Sequence, residues 1–403
     1  MFEESSRMCN GGRCKIAALP GGSFEMNIEQ LKSDLIEYAK SIGVDKIGFT
    51  TASPFEEMKN RLIRQQALNY QSGFEERDVE KRTDPKKLLP EGESIIAIAL
   101  AYPSKMKNPP AGKKGERRGI FARASWGLDY HVAVKERLDL MEQWLRERVP
   151  DVSVKSMVDT GELVDRAVAE RAGIGWSGKN CSIITPEFGS YVYLGEMITN
   201  IPFPPDAPIE NECGDCRLCL DICPTGALVE AGRLNSKRCI AFLTQTKDYL
   251  PDEFRREIGN RVYGCDTCQT VCPKNKGKAN WIHEEFMPDP ELAKPLLVPL
   301  LNLSNKEFKR KFGTMAGSWR GKKPIQRNAI LALAHFKEQS AVPELIELLK
   351  NDERPVIRGT SAWALGVIGG EQAKEALLEA LQQEKDEEVL REIGKGLELL
   401  GRG

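Results

Sequence analysis

The sequence lacks any apolar run of the roughly 18 to 20 residues that a membrane-spanning helix needs. Its first residues include acids and show no apolar segment of a secretory signal. Net charge is almost absent too, because 58 Lys and Arg stand against 59 Asp and Glu, so affinity for a polyanion must come from local clusters of charge. We therefore expect a cytoplasmic protein with no membrane partner, and the 403 residues are enough for two or three domains.

Residues 1–25 show no helical or strand periodicity, and Met26 directly precedes the first amphipathic helical pattern. We expect residues 1–25 to be an added leader and Met26 to be the natural start. Cys9 and Cys14 lie in this leader. We expect disorder there, with a metal site or a disulfide as the alternative.

Eight of the other nine cysteines lie between residues 213 and 272. The first four follow the spacing C-x2-C-x2-C-x3-C-P, and a second group follows C-x2-C-x3-C-P. Disulfides suit small secreted domains, and structural zinc usually takes two separated C-x2-C pairs, whereas this run is typical of ferredoxins with two [4Fe-4S] clusters. The spacing assigns one cluster to Cys213, Cys216, Cys219 and Cys272 and the other to Cys223, Cys239, Cys265 and Cys268.

Cys239 is the irregular member of this set, since it stands alone, 26 residues before Cys265. Two adjacent clusters form an electron relay, so the chain either catalyses a redox reaction or carries electrons. A ferredoxin would need only about 60 residues, so the rest of the chain must hold whatever receives the electrons. The ninth cysteine, Cys181, is expected to be a buried structural thiol.

The sequence repeats itself from Lys323 onward, where "IQRNAILALAHF", "VIRGTSAWALGVIG" and "EVLREIGKGLELL" align Arg327, Arg358 and Arg391 at spacings of 31 and 33 residues. Apolar residues recur at the helical period in each segment. This pattern predicts a short α-helical solenoid that resembles HEAT repeats. We expect one face of it to bind a partner, with a purely packing role as the alternative.

A basic run precedes and enters this solenoid. Between residues 306 and 327 eight basic residues oppose a single acid, Glu307, and a second stretch, from 105 to 123, holds seven basic residues against Glu116. A solvated surface is the usual reason for such runs, but two of them in a chain of near-zero net charge favour contact with phosphates. The nucleic-acid-binding residues predicted here are Lys306, Lys309, Arg310, Lys311, Arg320, Lys322, Lys323 and Arg327.

Residues 26–203 alternate helical patterns with apolar strand-like runs at 94–102 and 190–199, which indicates an α/β or α+β domain. The spacing of Gly173, Gly175 and Gly178 fits G-x-G-x-x-G, but a helical pattern precedes it, so we expect no nucleotide site there. His131 sits in part of a cobalamin signature, D-x-H-x-x-G, whose glycine is replaced by Val134. We expect His131 to be a local polar residue and not a cobalt ligand.

Asp159 follows an apolar strand-like segment and allows two interpretations. It can cap a helix, with Glu162 completing a capping box. It can also be an enclosed carboxyl that donates a proton. The residues alone favour the cap.

Four segments together resemble the epoxyqueuosine reductase family: "VDTGELVDRAVAERAGIGWSGKN", "CGDCRLCLDICPTGAL", "RCIAFLT" and "YGCDTCQTVCP". The resemblance covers about residues 26–285, and the helical arm resembles that of longer members. It implies a multidomain α+β protein with a nitroreductase-like cobalamin-binding domain at 26–203 and a ferredoxin-like domain at 204–285. A linker and HEAT-like repeats then occupy 286–403.

The resemblance also implies the reaction, reduction of epoxyqueuosine to queuosine at the wobble position of tRNAs for Tyr, His, Asn and Asp. Electrons from an external donor would pass through the two clusters to a base-off cobalamin, and the anticodon stem-loop would be the bound part of the tRNA. Asp159 matches the catalytic aspartate of the family and becomes the expected proton donor. Arg82, Asp266 and Thr267 are expected beside the corrin, and we expect a monomer.

Two other functions stay open at this point. One is a ferredoxin-type electron carrier whose helical arm binds a protein partner. The other is a corrinoid reductive dehalogenase, which joins two clusters to cobalamin but usually brings a twin-arginine export signal, and no such signal is found in this sequence.

Overall fold

The computed structural model describes residues 9–10, 13–15, 25–159 and 161–401. Most of the expected leader, with the side chains of Cys9 and Cys14, lies outside the described residues. The strands are β1 Cys9–Asn10, β2 Arg13–Lys15, β3 Glu25–Asn27, β4 Lys46–Thr51, β5 Ser94–Ala101, β6 Ile120–Phe121, β7 Val154–Met157, β8 Trp176–Ser177, β9 Ile183–Ile184, β10 Val192–Thr199, β11 Leu228–Glu230, β12 Arg233–Leu234 and β13 Arg261–Tyr263.

The α-helices are short in the middle of the chain and long near its end. They are α1 Ile28–Ser41, α2 Glu56–Ala67, α3 Val79–Thr83, α4 Tyr130–Arg146, α5 Asp165–Arg171, α6 Leu218–Asp221, α7 Ile240–Leu243, α8 Asp252–Arg255, α9 Thr267–Thr270, α10 Pro290–Ala293, α11 Leu297–Leu301, α12 Asn305–Phe312, α13 Lys322–His335, α14 Val342–Asn351, α15 Pro355–Ile368, α16 Glu371–Gln383 and α17 Glu387–Gly401. No helix in the described ranges is both long and apolar enough to cross a bilayer.

The chain forms two compact units. The first comprises residues 1–101 and 131–216, and the second comprises 102–130 and 217–403. These limits differ from the domain boundaries expected at 203 and 285. Residues 102–130 join the second unit, in which the segment after Arg217 and the helical arm share one apolar core.

The first unit is built on a four-stranded antiparallel sheet with strand order β4-β5-β10-β7. All eight residues of β5 are buried, because helices cover both faces of this part of the sheet. On one face Gly195 of β10 lies against α4, where an added Cβ would come within 2.5 Å of Val134 Cγ1. On the other face α5 packs on Ala97 and Met157. The strands predicted at 94–102 and 190–199 are thus confirmed as β5 and β10.

Of the three glycines that fit G-x-G-x-x-G, Gly173 and Gly175 lie between α5 and β8, and Gly178 directly follows β8 in its hairpin with β9. The motif therefore follows a helix and precedes a strand, which is the order that the sequence predicted and the reverse of a nucleotide-binding turn. Gly173 has a φ of +72°, a backbone conformation that glycine adopts without strain.

The second unit joins short elements to a stack of helices. The strand β13 pairs in parallel with β6, and β11 pairs with β12. The helices α13, α15 and α17 carry the three aligned segments of the predicted repeat, and α14 and α16 lie between them in the chain. The predicted helical repeats are confirmed, and their core is continuous with Phe121 and Val262.

Candidate active site and cluster-binding loops

Asp159 lies in the loop between β7 and α5. Its φ is +47°, and its N–H donates to Asp165 Oδ2 at 3.0 Å. The helix begins only at Asp165, with Val164 as its N-cap residue, and Glu162 pairs instead with Lys155 at 3.0 Å. The helix-cap interpretation of Asp159 is therefore wrong, because five residues lie between it and Asp165, the first residue of the helix. Its carboxylate is 57% exposed, which leaves it open to a substrate.

His131 is a basic side chain that lies close to this carboxylate. It lies at the start of α4, and its Nε2 is 3.5 Å from Asp159 Oδ2. The two residues come from separate segments of the first unit, and no sequence pattern links them. A protonated His131 would stabilise the carboxylate that forms when Asp159 loses a proton.

Two further carboxyl groups lie near Asp159, and sequence reasoning missed both. Glu196 of β10 is only 1% exposed, and neither of its carboxyl oxygens has a hydrogen-bond partner among the described residues. Burial raises the pKa of Glu196 well above its usual value, and the charges of Asp165 and Asp159 raise it further. Burial, followed by the charge of Asp159, raises the pKa of Asp165 to about 6. A lone acid inside the apolar run "SYVYLGEMIT" was the available signal.

Arg82 lies at the same end of α5. The carbonyl oxygen of Arg82 accepts the N–H of Val164 at 3.3 Å, and its guanidinium is close enough to Asp165 and Arg166 to interact with their charges. Burial lowers the pKa of this half-buried guanidinium. The structure thus brings Arg82 and Asp159, two residues predicted to serve one site, to the same helix end.

Six of the eight predicted cluster ligands belong to the second unit, and five of them lie close together. Burial and then the thiols of Cys265, Cys239, Cys219 and Cys223 raise the pKa of Cys268. Burial also raises the pKa of Cys239 to about 11. Thiols in such surroundings stay protonated unless a metal supplies positive charge. Cys239 therefore lies among the other ligands predicted for its cluster, although it is distant from them in sequence.

Polar groups lie within hydrogen-bonding distance of two of these sulfur atoms. Cys223 Sγ accepts the N–H of Ala227 at 3.3 Å, and Cys265 Sγ lies 3.2 Å from Thr267 Oγ1. Although burial opposes it, N–H donors lower the pKa of Cys223. Hydrogen bonds of this kind tune the reduction potential of iron–sulfur clusters. No three His, Cys, Asp or Glu side chains of the described residues converge on a single metal-ion position.

The remaining two ligands, Cys213 and Cys216, belong to the first unit. Lys179 donates to the carbonyl oxygen of Cys216 at 3.0 Å, and Asn211 Oδ1 accepts the N–H of Cys213 at 2.9 Å. These bonds fix the loop that carries both thiols. Cys181 lies two residues after Lys179 and is half-buried, and burial raises the pKa of its thiol.

Asp266 and Thr267 lie between two cluster ligands, and neighbouring arginines engage both side chains. Asp266 Oδ2 accepts one hydrogen bond from Arg123 Nη1 at 2.9 Å and another from the backbone N–H of Arg123 at 3.0 Å. Thr267 Oγ1 accepts one from Arg261 Nη2 at 2.8 Å. Burial raises the pKa of Asp266, although Arg123 opposes this shift. Both residues therefore brace the loop of Cys265 and Cys268.

The predicted nucleic-acid-binding residues separate into exposed and engaged groups. Phe308 and Phe312 anchor α12 in the core, and Glu307, the only acid of the run, completes a capping box with Ser304. Arg320 donates to Gln245 O at 3.1 Å, and Lys322 donates to Leu303 O at 2.7 Å. The exposed members are Lys306, Lys309, Arg310 and Lys311, and Lys323 is half-buried.

Arg327 contradicts its assignment to a nucleic-acid surface. It is 1% exposed, and its guanidinium donates to the carbonyl oxygens of Leu243, Thr246 and Asp248. A side chain with these contacts cannot reach a phosphate. In the second basic stretch, Arg117 and Arg118 are likewise paired with Glu338 and Glu291.

The carboxyl cluster on an antiparallel sheet, the cysteine-rich loops and the helical arm together define an iron–sulfur oxidoreductase. Residues 212–275 match the family model "4Fe-4S double cluster binding domain", residues 320–398 match "HEAT repeats", and residues 82–160 match "Epoxyqueuosine reductase QueG, DUF1730". The epoxyqueuosine reductase of Bacillus cereus is 70% identical over 377 residues, which cover 94% of this chain and 99% of the relative. The chain belongs to the epoxyqueuosine reductase family and is an oxidoreductase of that family.

More distant relatives and solved structures support this family membership. The epoxyqueuosine reductase of Escherichia coli is 30% identical over 384 residues, which cover 93% of this chain and 99% of the relative. An epoxyqueuosine reductase solved with an epoxyqueuosine-modified tRNA-Tyr stem loop has 68% identity and a TM-score of 0.92, covering 93% of this chain and all of its own. A Bacillus subtilis structure with its catalytic aspartate loop swung out of the active site has 67% identity, a TM-score of 0.91 and the same coverage.

Proposed function

We propose that this protein reduces epoxyqueuosine to queuosine within tRNA. The family membership supports the reaction, and the tRNA stem loop bound by a structure 68% identical supports the substrate. The tRNAs are those for Tyr, His, Asn and Asp, bound at the anticodon stem-loop with the modified base in the wobble position. The modified base must leave the anticodon stack to reach the reacting groups of the active site, as in other enzymes that act on bases.

Asp159 is the residue to which we assign the proton transfer. Removal of the epoxide oxygen as water consumes two electrons and two protons, and Asp159 supplies one of these protons to the departing oxygen. This role rests on one observation: the Asp159 carboxylate is half-exposed and lies 3.5 Å from His131 Nε2. His131 stabilises the carboxylate that remains, and the nearby Asp165 disfavours ionisation of both acids at once.

The eight cysteines would hold two [4Fe-4S] clusters, which supply electrons in single steps from an external donor. The N–H bond that Ala227 donates to Cys223 Sγ fits this use, since it favours a thiolate ligand. Asp266 and Thr267 hold the loop between Cys265 and Cys268 in place.

Base-off cobalamin is the proposed recipient of these electrons, and when bound it would supply the reducing centre for the epoxide. Arg82 fits a role in holding it, because among the described residues its guanidinium has no hydrogen-bonding partner and can donate to an amide side chain of the corrin. Asp159 would lie beside it. The carboxylate of Asp266 is already paired with Arg123, so Asp266 would act by orienting its loop.

The tRNA phosphates are assigned to the exposed basic face of α12, formed by Lys306, Lys309, Arg310 and Lys311. Lys323, Arg320 and Lys322 extend this run in the sequence. Trp319 is 53% exposed and lies beside Arg320, whose guanidinium is 4.9 Å from its ring centre. An exposed ring of this kind can stack on an unpaired base. We place the protein in the cytoplasm as a monomer.

The decisive experiment is an anaerobic conversion assay. Protein with both clusters loaded is reduced, mixed with cobalamin and tRNA carrying epoxyqueuosine, and the digested nucleosides are followed by mass spectrometry. Conversion to queuosine that depends on added cobalamin supports the proposal. Conversion without added cobalamin would contradict the proposed role of this cofactor. No conversion by fully loaded protein would contradict the proposed reaction.

A further inference from the structure

The loop that carries Asp159 is held at one end by the side chain of Asp165. The Asp159 N–H donates to Asp165 Oδ2 at 3.0 Å, a bond that spans the residues between β7 and α5. Asp159 has a φ of +47°. A left-handed conformation costs a non-glycine residue of the order of 1 kcal/mol, and it persists only where its surroundings hold it.

Asp165 is itself fixed, because it belongs to a helix that packs on the sheet. Ala167 and Val168 of α5 are buried in the same apolar cluster as Ala97 and Met157. The Ala167 N–H donates to Val164 O at 2.8 Å, which closes the first turn of the helix. The carboxylate that accepts the Asp159 N–H thus stands on a rigid element, whereas Asp159 stands on a loop.

We propose that Asp165 is a positioning residue: its carboxylate holds the left-handed turn at Asp159 and so keeps the Asp159 side chain beside His131. The inference rests on the role proposed above for Asp159. Asp165 itself does not need to touch the substrate. Its effect is to make the productive geometry of Asp159 the dominant one before substrate binds.

Charged or titratable side chains from four elements face the carboxylate of Asp165 or that of Asp159. They are Arg82 on α3, His131 on α4, Arg166 on α5 and Glu196 on β10. The pKa of Asp165 is about 6, so it is charged at neutral pH and accepts the N–H more strongly than a neutral acid does.

The test measures hydrogen exchange at the Asp159 amide, resolved by fragmentation mass spectrometry of the loaded protein at one pH. Asp165→Ala removes the acceptor, and we expect exchange to accelerate by about tenfold or more, confined to residues 158–164. Asp165→Asn keeps an acceptor oxygen and should exchange within about threefold of the parent. Glu196→Gln alters a buried carboxyl nearby that makes no bond to the loop, and it should leave exchange unchanged.

Turnover gives the second measurement. Asp165→Ala should lower kcat by about tenfold or more with the Kd for tRNA unchanged, and Asp165→Asn should restore most of the loss. Unchanged exchange in Asp165→Ala overturns the proposal, and so does acceleration that spreads into β5 and β10, since Asp165 would then serve folding. A fully active Asp159→Asn variant would refute the proposed proton donor, while the exchange at Asp159 would still decide whether Asp165 holds the loop.

Discussion

Arg327 Nη2 donates to the backbone carbonyl oxygen of Leu243 at 2.8 Å. The bond joins α13, the first helix of the arm, to α7, which directly follows the predicted cluster ligand Cys239. Asn328, the next residue, donates to the carbonyl oxygens of Thr244 and Val262 at 2.8 Å. The arm is thus fixed to the cluster-binding segment through backbone carbonyls, and the iron–sulfur part of the second unit depends on it for support.

Replacing Arg327 should therefore cost stability. Arg327→Met buries no charge but leaves three carbonyl oxygens, including that of the buried Leu243, without their donor, and we expect the free energy of unfolding of the second unit to fall by about 3 to 5 kcal/mol. Urea denaturation followed by tryptophan fluorescence measures this loss. Arg310→Met, an exposed change of the same type on α12, should stay within about 0.5 kcal/mol of the parent. Equal, small effects of both changes would contradict the structural role of Arg327.

Asp159→Asn keeps the shape of the side chain and removes its proton. If Asp159 is the proton donor, turnover should fall by about 10² to 10⁴-fold while iron content and cobalamin binding stay at parental levels. Single-turnover conversion of epoxyqueuosine in tRNA measures the loss. Asp151→Asn is a matched control, because Asp151 is an exposed aspartate with a φ of +61° in the same unit and lies outside the site. Full activity of Asp159→Asn would assign the proton to another group.

The basic face of α12 should set the salt dependence of tRNA binding. Reversal of Lys309, Arg310 and Lys311 to Glu is expected to weaken binding by about tenfold or more and to flatten the slope of log Kd against log salt by about 0.7 to 0.9 for each lost phosphate contact. Filter binding across a salt series measures both. The same reversal at the exposed residues Lys337, Lys374 and Lys385 of the arm is the control. Equal effects of the two reversals would place the phosphate contacts elsewhere.

Cys239 tests the assignment of the second cluster. Cys239→Ala should lower the iron content from about eight to about four per chain, because one cluster loses a ligand while the other keeps all of its own. Iron analysis of anaerobically purified protein measures this change. Cys181→Ala should keep the full iron content, since Cys181 is the one cysteine after residue 25 that is outside the ligand set. Unchanged iron in Cys239→Ala would require a different ligand.

Asp165 should make stability depend on pH. Its pKa is about 6 in the folded protein and near the ordinary 3.8 when unfolded, so the unfolded chain ionises first as the pH rises. Asp165 therefore stabilises the fold fully below about 3.8, and this contribution is lost as the pH rises through about 6, by at most about 3 kcal/mol. Asp165→Asn does not titrate, so its stability relative to the parent should increase from pH 4 to pH 6.5. Parallel stability curves over this window would contradict the raised pKa.

Local patterns in the sequence determined much of this protein. The cysteine spacing identified the double-cluster segment, the repeat near every 32 residues identified the helical arm, and the apolar runs identified β5 and β10. Each of these signals is contained in a single stretch of chain, because ligand spacing and helical or strand periodicity are set by neighbouring residues.

The tertiary structure alone decided which polar groups meet and which are exposed. The residues around Asp159 alone favour a helix cap, and only the fold places Asp159 beside His131 and Asp165, which come from different segments. Arg327 belongs to the same basic run as Lys309, yet one is buried against carbonyl oxygens and the other is exposed. In the sequence, a run of like charges looks identical whether its members are buried or exposed. The difference arises from burial and from partners distant in the chain, and those depend on how the elements pack.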